Sequence, residues 1–236
     1  MLLLQAVFIP IILAPLLYII GLRIGKNVGW LAFLILCYST SLLLYSGFSS
    51  PERLESYNWA PIGDFGLFLD GLSFPFAAII YILSTVIAMY SIPYMVHRIK
   101  EDITSKKMSK KAIQETINRK ISLYYALYLV YAAGMLGTVL ATNLIQFYIF
   151  FELMLIPSFF LIAEFGYGER HKISLMYFLW THVGAIFLLA GILTIGLFGG
   201  SFNFFDLNES GLPSSLRIWV GIAISVGLLT KLAAAG

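Results

Sequence analysis

Apolar residues run along this chain in long blocks, and the polar residues gather between them. Seven blocks are long enough to cross a membrane as helices, at residues 2–22, 28–47, 72–96, 122–141, 144–164, 173–198, and from Leu216 onward. A spanning helix needs about 20 mostly apolar residues, and each block approaches or exceeds that length. Between the second and third blocks lies a connection, 48–69, rich in Gly, Pro and aromatic residues. A hydrophilic stretch, 97–121, separates the third and fourth blocks, and a polar loop, 199–215, leads into the seventh. Almost nothing separates the fourth block from the fifth. The pattern predicts an all-α, polytopic helical bundle of about seven transmembrane helices.

Composition strengthens this reading. Of 236 residues, 60% are hydrophobic and 11% are charged, and the mean hydropathy is +0.89. A water-soluble domain carries about 25% charged residues, so a water-facing surface cannot be built from this chain. The net charge of +3 does not point to nucleic acid, because the basic residues cluster beside the apolar blocks. One cysteine, Cys37, lies within the second block. It excludes an intrachain disulfide and any cysteine cluster for zinc or iron–sulfur, and reads as a small packing residue. The apolar N-terminus lacks the basic leader of a cleaved signal peptide and reads as the first span.

The lysines and arginines predict an orientation. Twelve fall in the connections on one side, two (Arg53 and Arg217) on the other, and Lys231 lies within a span. Basic residues favour the cytoplasmic side, so the expected topology has the N-terminus outside and the 97–121 loop in the cytoplasm. Asp70, in Asp70-Gly71-Leu72-Ser73, reads as an N-cap of the third span. Tyr124, Tyr125, Tyr128 and Tyr131 read as an interfacial belt with some packing. Gly236 follows Lys231 by only five residues, and the expectation is a truncated chain.

Four ionisable residues inside or at the ends of spans are candidates for chemistry. Glu152 lies eight residues past Leu144, about 12 Å along a helix, close to the midplane of a ~30 Å hydrocarbon core. An ionised carboxylate there costs a few kcal/mol and marks a functional site by default; a protonated structural glutamate is the plainer reading. Pro157 cannot donate to the carbonyl of Leu153, so the helix loosens beside the acid. Lys231 lies 14 residues past Arg217, about 21 Å along the seventh span. It can snorkel toward an interface, but small neighbours (Gly227, Ala233, Ala234, Ala235 and Gly236) favour a position against another helix. An acid and a base, each costly alone in lipid, stabilise one another when close. Moving them apart readies the lysine to release a proton. His182 can relay protons at neutral pH or serve as a structural hydrogen-bonder. Glu164 reads as interfacial, with proton uptake as a second reading. The residues hold no phosphate-binding glycine loop, haem motif or nucleophile constellation.

One long motif resembles a known family. Asn143-Leu144-Ile145-Gln146-Phe147-Tyr148-Ile149-Phe150-Phe151-Glu152-Leu153-Met154-Leu155-Ile156-Pro157-Ser158-Phe159-Phe160-Leu161-Ile162 is similar to the fifth-helix signature of the antiporter-like subunits of respiratory complex I, most of all subunit 4, or chain M. Gly66-Leu67-Phe68-Leu69-Asp70-Gly71-Leu72-Ser73, Tyr90-Ser91-Ile92-Pro93-Tyr94-Met95 and Thr230-Lys231-Leu232-Ala233-Ala234-Ala235-Gly236 resemble further stretches of that family, in the same order. The resemblance implies the first half of a 14-helix fold with inverted repeats. On that division, residues 1–121 form an N-terminal three-helix segment, and 122–236 begin the first antiporter-like repeat with helices four to seven. It also implies a broken seventh helix and a Glu–Lys pair in one half-channel, roles that fall on Glu152 and Lys231. No redox chemistry is implied for the chain itself: flavin (FMN), iron–sulfur clusters and quinone belong to partner subunits in a prokaryotic cell membrane. Subunits of multisubunit cation/proton antiporters and of membrane-bound hydrogenases share these motifs. A structural membrane subunit with inert buried charges is the reading from a different class.

Overall fold

The computed structural model describes residues 1–50, 52–60, 62–104, 109–209 and 212–232. Among them, six helical stretches are long and apolar enough to cross a membrane. The first, Leu2–Ser49, has 48 residues and would be about 72 Å long if straight, more than twice the hydrocarbon thickness. It folds back on itself as α1 (Leu2–Ile24) and α2 (Val28–Ser49), joined by a 3₁₀ turn at Gly25–Asn27. Gly25 takes φ +61°, and a Cβ there would meet the Asn118 side chain. The remaining spans are α3 (Ser73–Thr104), α4 (Lys110–Leu140), a broken pair α5 (Leu144–Leu153) and α6 (Leu155–Phe165), α7 (Arg170–Gly199) and α8 (Ser214–Lys231). Among the described residues, with α5 and α6 taken as one broken helix, seven helical stretches result, one for each apolar block.

Two expectations are corrected. The described residues of the 97–121 stretch are mostly helical rather than loop: α3 continues to Thr104 and α4 begins at Lys110. Its apolar residues Ile99, Ile103, Ile117 and Ile121 are all buried. They recur at helical spacing and pack the polar extensions of the two helices together, which a count of charges alone conceals. The tyrosines of α4 are not chiefly a belt. Tyr125 and Tyr128 are buried and donate to the main-chain oxygens of Ala88 (3.1 Å) and Ser84 (2.9 Å) of α3. A buried phenol needs such an acceptor.

The bundle is not purely helical. Residues Arg53–Trp59 (β1) and Gly63–Leu69 (β2) pair as an antiparallel hairpin, from Arg53 opposite Leu69 to Trp59 opposite Gly63. The hairpin closes one end of the bundle. Glu55 accepts from the Leu3 and Leu4 amides at the start of α1 (3.1 and 3.0 Å). The amide side chain of Gln146 bonds both main-chain groups of Gly66, accepting at 3.1 Å and donating at 2.7 Å. At the same end Asp70 begins α3: its Oδ1 accepts from the Ser73 amide (2.7 Å) while Ser73 Oγ accepts from the Asp70 amide (2.9 Å). This reciprocal cap is the local reason the chain turns into a helix there.

Helix α4 packs against α1, α2, α3, α5 and α6. Lipid chains are as apolar as leucine, so close helix contact depends on small residues. Gly134 and Gly137 of α4 receive Met154 and Phe150, and Gly184 of α7 receives Thr230 of α8. Many of the exposed residues on α1, α3 and α7 are large and apolar, as a lipid-facing surface requires.

Candidate functional site

The break between α5 and α6 positions the central groups. Asn143 starts α5, its Oδ1 accepting from the amides of Ile145 (2.9 Å) and Gln146 (3.4 Å). Ten residues later the helix stops, with Met154 between the two halves. Pro157 stands three residues further on, and its missing N–H leaves the Leu153 carbonyl without the usual helical donor. Ser158 bridges α6 and α7 through a 3.0 Å contact between its Oγ and the Tyr177 hydroxyl.

Glu152 lies in the last turn of α5. Its Oε2 is 3.3 Å from Nδ1 of His182 on α7, and its side chain is 23% exposed. Its Oε1 is buried and has no hydrogen-bond partner among the described residues. The His182 ring stacks on Phe178, one turn back, with centroids 5.6 Å apart and planes 7° from parallel. Lys231 ends α8. Its Nζ donates to the main-chain oxygen of Phe151 (3.0 Å) and sits 4.0 Å over the Phe151 ring. A cation suits the C-terminal end of a half-helix, where carbonyls gather. Among the described residues no ion pair joins Glu152 to Lys231. The lysine is held instead at the residue just before the acid. Of the small neighbours expected around Lys231, Gly227 packs on Leu188, and residues 233–236 lie outside the described residues. Three ionisable groups from α5, α7 and α8 thus meet within a turn of one helix break. The carboxylate and imidazole are close enough to exchange a proton, and the ammonium stands where its field reaches them.

Glu164 lies elsewhere, twelve residues along from Glu152, about 18 Å by helical rise. Its Oε2 is 3.4 Å from Nζ of Lys120 on α4. Arg170 reaches only its main-chain oxygen, at 3.1 Å. Beside it is a cluster the sequence reading did not find. Asp102 takes Arg98 on one oxygen (2.8 Å) and Arg170 on the other (2.6 Å), and Arg98 also donates to the Gly166 carbonyl and lies 4.3 Å over the Tyr167 ring. The four-residue spacing of Arg98 and Asp102 was the available signal; nothing local pointed to Arg170. Among the described residues no three His, Cys, Asp or Glu side chains converge in a way that could hold a metal.

Comparison with known proteins places this arrangement. Residues 141–236 match the family model described as "NADH:quinone oxidoreductase/Mrp antiporter, TM". Residues 59–102 match the one described as "NADH-Ubiquinone oxidoreductase (complex I), chain 5 N-terminus". The chain belongs to the antiporter-like membrane subunits. The first match contains Glu152, His182 and Lys231, and the second takes in β2 and most of α3. This antiporter-like chain is 25% identical over 240 residues to "NAD(P)H-quinone oxidoreductase chain 4 2" of Microcystis aeruginosa, an alignment covering 94% of this chain and 38% of the relative. It is 31% identical over 244 residues to "Na(+)/H(+) antiporter subunit A1" of Staphylococcus haemolyticus, covering 96% and 27%. Its fold matches a chain in the structure of the Mrp complex from Dietzia sp. DQ12-45-1b, with a TM-score of 0.78 and 21% identity, over 98% of this chain and 24% of that one. The antiporter-like chain spans no more than 38% of the length of these relatives. It is a multi-pass integral membrane protein of the complex I-like or Mrp antiporter type.

Proposed function

We propose that this chain carries protons within a complex I-like NADH (or other donor):quinone oxidoreductase, coupling electron transport to pumping. In this reading Glu152 holds the proton in the membrane, His182 relays it and Lys231 drives its release. The contact between Glu152 and His182 beside the Lys231–Phe151 bond supports the reading most strongly. Glu152 and Lys231, both partly buried in an apolar bundle, are costly there and need a role that repays the cost. A change in the position of α8 shifts the ammonium relative to the carboxylate and alters the proton affinity of both. Glu164, paired with Lys120 at the basic end, is the proposed uptake group. The excess of basic residues at that end supports a cytoplasmic placement and an outside N-terminus. The partners proposed are further membrane subunits and the subunits that carry FMN, iron–sulfur clusters and quinone.

The test is proton pumping by the complete complex in sealed vesicles, with Glu152→Gln or Lys231→Met in this subunit. The expected result is loss of pumping with electron transfer slowed or uncoupled; unchanged pumping by both variants sinks the proposal. The 31% identity to a Na⁺/H⁺ antiporter subunit favours one second reading, a subunit of a multisubunit cation/proton antiporter. Vesicles that acidify in response to a sodium gradient without any electron donor would establish that reading instead.

A further inference from the structure

We propose that Asp102 is a positioning residue for proton uptake, holding the Arg170 guanidinium away from the Glu164 carboxylate. The proposal rests on the reading of Glu164 as the uptake group. Asp102 lies in the last turn of α3, and Arg170 is the first residue of α7. A helix dipole disfavours a cation in the first turn, so the local sequence does not settle the Arg170 side chain. Asp102 does: its Oδ2 accepts from Arg170 at 2.6 Å, while its Oδ1 accepts from Arg98 at 2.8 Å. The side chains of Arg98, Asp102 and Arg170 are 14%, 26% and 27% exposed. The neighbouring pairs Lys172–Glu169 and His97–Glu101 are far more exposed and hold little in place.

Helix α3 grips the corner between α6 and α7 at three levels. The Tyr94 hydroxyl meets that of Tyr167 at 2.7 Å, Arg98 donates to the Gly166 carbonyl at 3.2 Å, and Asp102 takes Arg170. These three residues of α3 are four apart, so they share one face of the helix. The grip also brings a competing cation to Glu164. The same nitrogen of Arg170 that donates to Asp102 donates to the Glu164 main-chain oxygen at 3.1 Å. A side-chain rotation would carry the guanidinium on to the carboxylate of that residue. Among the described residues that carboxylate is paired with Lys120 alone, 3.4 Å from Oε2. A guanidinium fits a carboxylate through two parallel bonds and stays protonated. Clamped in that way, Glu164 would remain ionised and take up protons poorly. Asp102 prevents this by satisfying Arg170 first. The charged groups around Glu164 are thus Lys120 from α4, Arg170 from α7, and Arg98 and Asp102 from α3. At the same corner Glu169 and Lys172 pair with one another, and His171 is exposed.

The first measurement reads the charge at position 164 directly. The complete complex carries Cys37→Ser and Glu164→Cys in this subunit, and the rate of thiol alkylation on the subunit is followed against pH by mass spectrometry. Asp102→Asn is expected to lower the pH of half-maximal alkylation by about one unit, as a cation brought beside an acid does. Adding Arg170→Gln returns it to the parent value. The second measurement keeps Glu164 and follows initial rates of pumping by sealed vesicles across the pH range. Asp102→Asn moves the alkaline limb to lower pH by about one unit, because a clamped Glu164 gains its proton only in more acid solution. Asp102→Glu, which keeps the carboxylate, leaves the limb in place, and adding Arg170→Gln to Asp102→Asn brings it back. A bond that serves the fold alone predicts equal loss at every pH and a double variant no better than the single one; either result overturns the proposal. An unchanged alkylation profile in Asp102→Asn overturns it whatever pumping does. Normal pumping by Glu164→Gln overturns the uptake reading and with it the role in uptake, and the alkylation shift separates that failure from a failure of the Asp102–Arg170 relation.

Discussion

The ammonium of Lys231 lies 3.0 Å from the main-chain oxygen of Phe151, one residue before Glu152. The lysine is thus tied to the backbone of the helix that carries the acid, not to the acid itself. Motion of α8 relative to α5 changes the field at Glu152 without first breaking a direct ion pair.

That relationship separates charge from proton exchange. Lys231→Arg keeps a cation and a donor for the Phe151 carbonyl, but a guanidinium stays protonated. If Lys231 itself releases a proton, Lys231→Arg and Lys231→Met both lower pumping, on the order of a hundredfold. Initial rates of vesicle acidification decide it: normal pumping by the arginine variant shows that only a fixed charge is required.

The Glu152–His182 contact predicts energetic coupling. In a double-mutant cycle of Glu152→Gln and His182→Gln, the pair should unfold with an interaction energy of about 1 kcal/mol, in the range seen for contacting residues. Thermal or denaturant unfolding in detergent measures it, and additivity within about 0.3 kcal/mol would remove the contact as a coupled unit.

Packing of α7 on α8 sets where Lys231 stands. A side chain at Gly184 collides with Thr230, so Gly184→Val should destabilise the chain by about 1–3 kcal/mol and disturb the lysine. Gly221 faces open space, so Gly221→Ala should leave stability equal or slightly higher, as helix propensity dictates. Melting temperatures of the two variants give the comparison.

Gln146 is 1% exposed and serves both main-chain groups of Gly66. Gln146→Ala strands the buried Gly66 N–H, while the Gly66 carbonyl keeps the Thr142 amide at 3.3 Å. The expected result is a loss of about 1–3 kcal/mol and faster hydrogen exchange in the hairpin; protection equal to that of the parent chain contradicts the tether.

The cap of α3 predicts a pH dependence. Main-chain and side-chain hydrogen bonds from Ser73 hold the Asp70 carboxyl below its ordinary value of 3.8. A depressed folded value means the stabilisation is fully present above the ordinary value and is lost as pH falls through the lower one. Asp70→Ala should therefore cost about 1 kcal/mol at neutral pH, with the gap to the parent chain narrowing below about pH 4. Glu55 follows the same sign: burial raises its carboxyl, but the Leu4 amide, the Met1 ammonium and the Leu3 amide together outweigh it, leaving the value lowered. Unfolding midpoints across an acid series test both.

Much of this was legible because some patterns are local. Asp70 and Ser73 are three apart, so the cap could be read from spacing alone. Glu152 could be placed at depth because helical rise is constant, and Pro157 located the weak point of that helix because it lacks a donor. The hairpin was harder to see, since two seven-residue strands carry too short an alternation to stand out within a Gly- and Pro-containing connection. The helical extensions through 97–121 were masked by charges facing water on one side while Ile99, Ile103, Ile117 and Ile121 faced inward.

The sequence by itself determined which stretches are long and apolar enough to cross a membrane, which connections are basic, and which ionisable residues fall inside those stretches. Those follow from hydrophobic length and from the cost of burying charge, and neither depends on which helices are neighbours. Only the tertiary structure decided that Glu152 meets His182, that Lys231 meets the Phe151 carbonyl, and that Asp102 joins two arginines. The first two contacts depend on how α7 and α8 pack beside α5, and the third on where α7 meets α3. The register of α7 on α8 is set by the fit of Gly184 to Thr230 and Gly227 to Leu188, residues 39 to 46 positions apart in the chain. No local pattern encodes it.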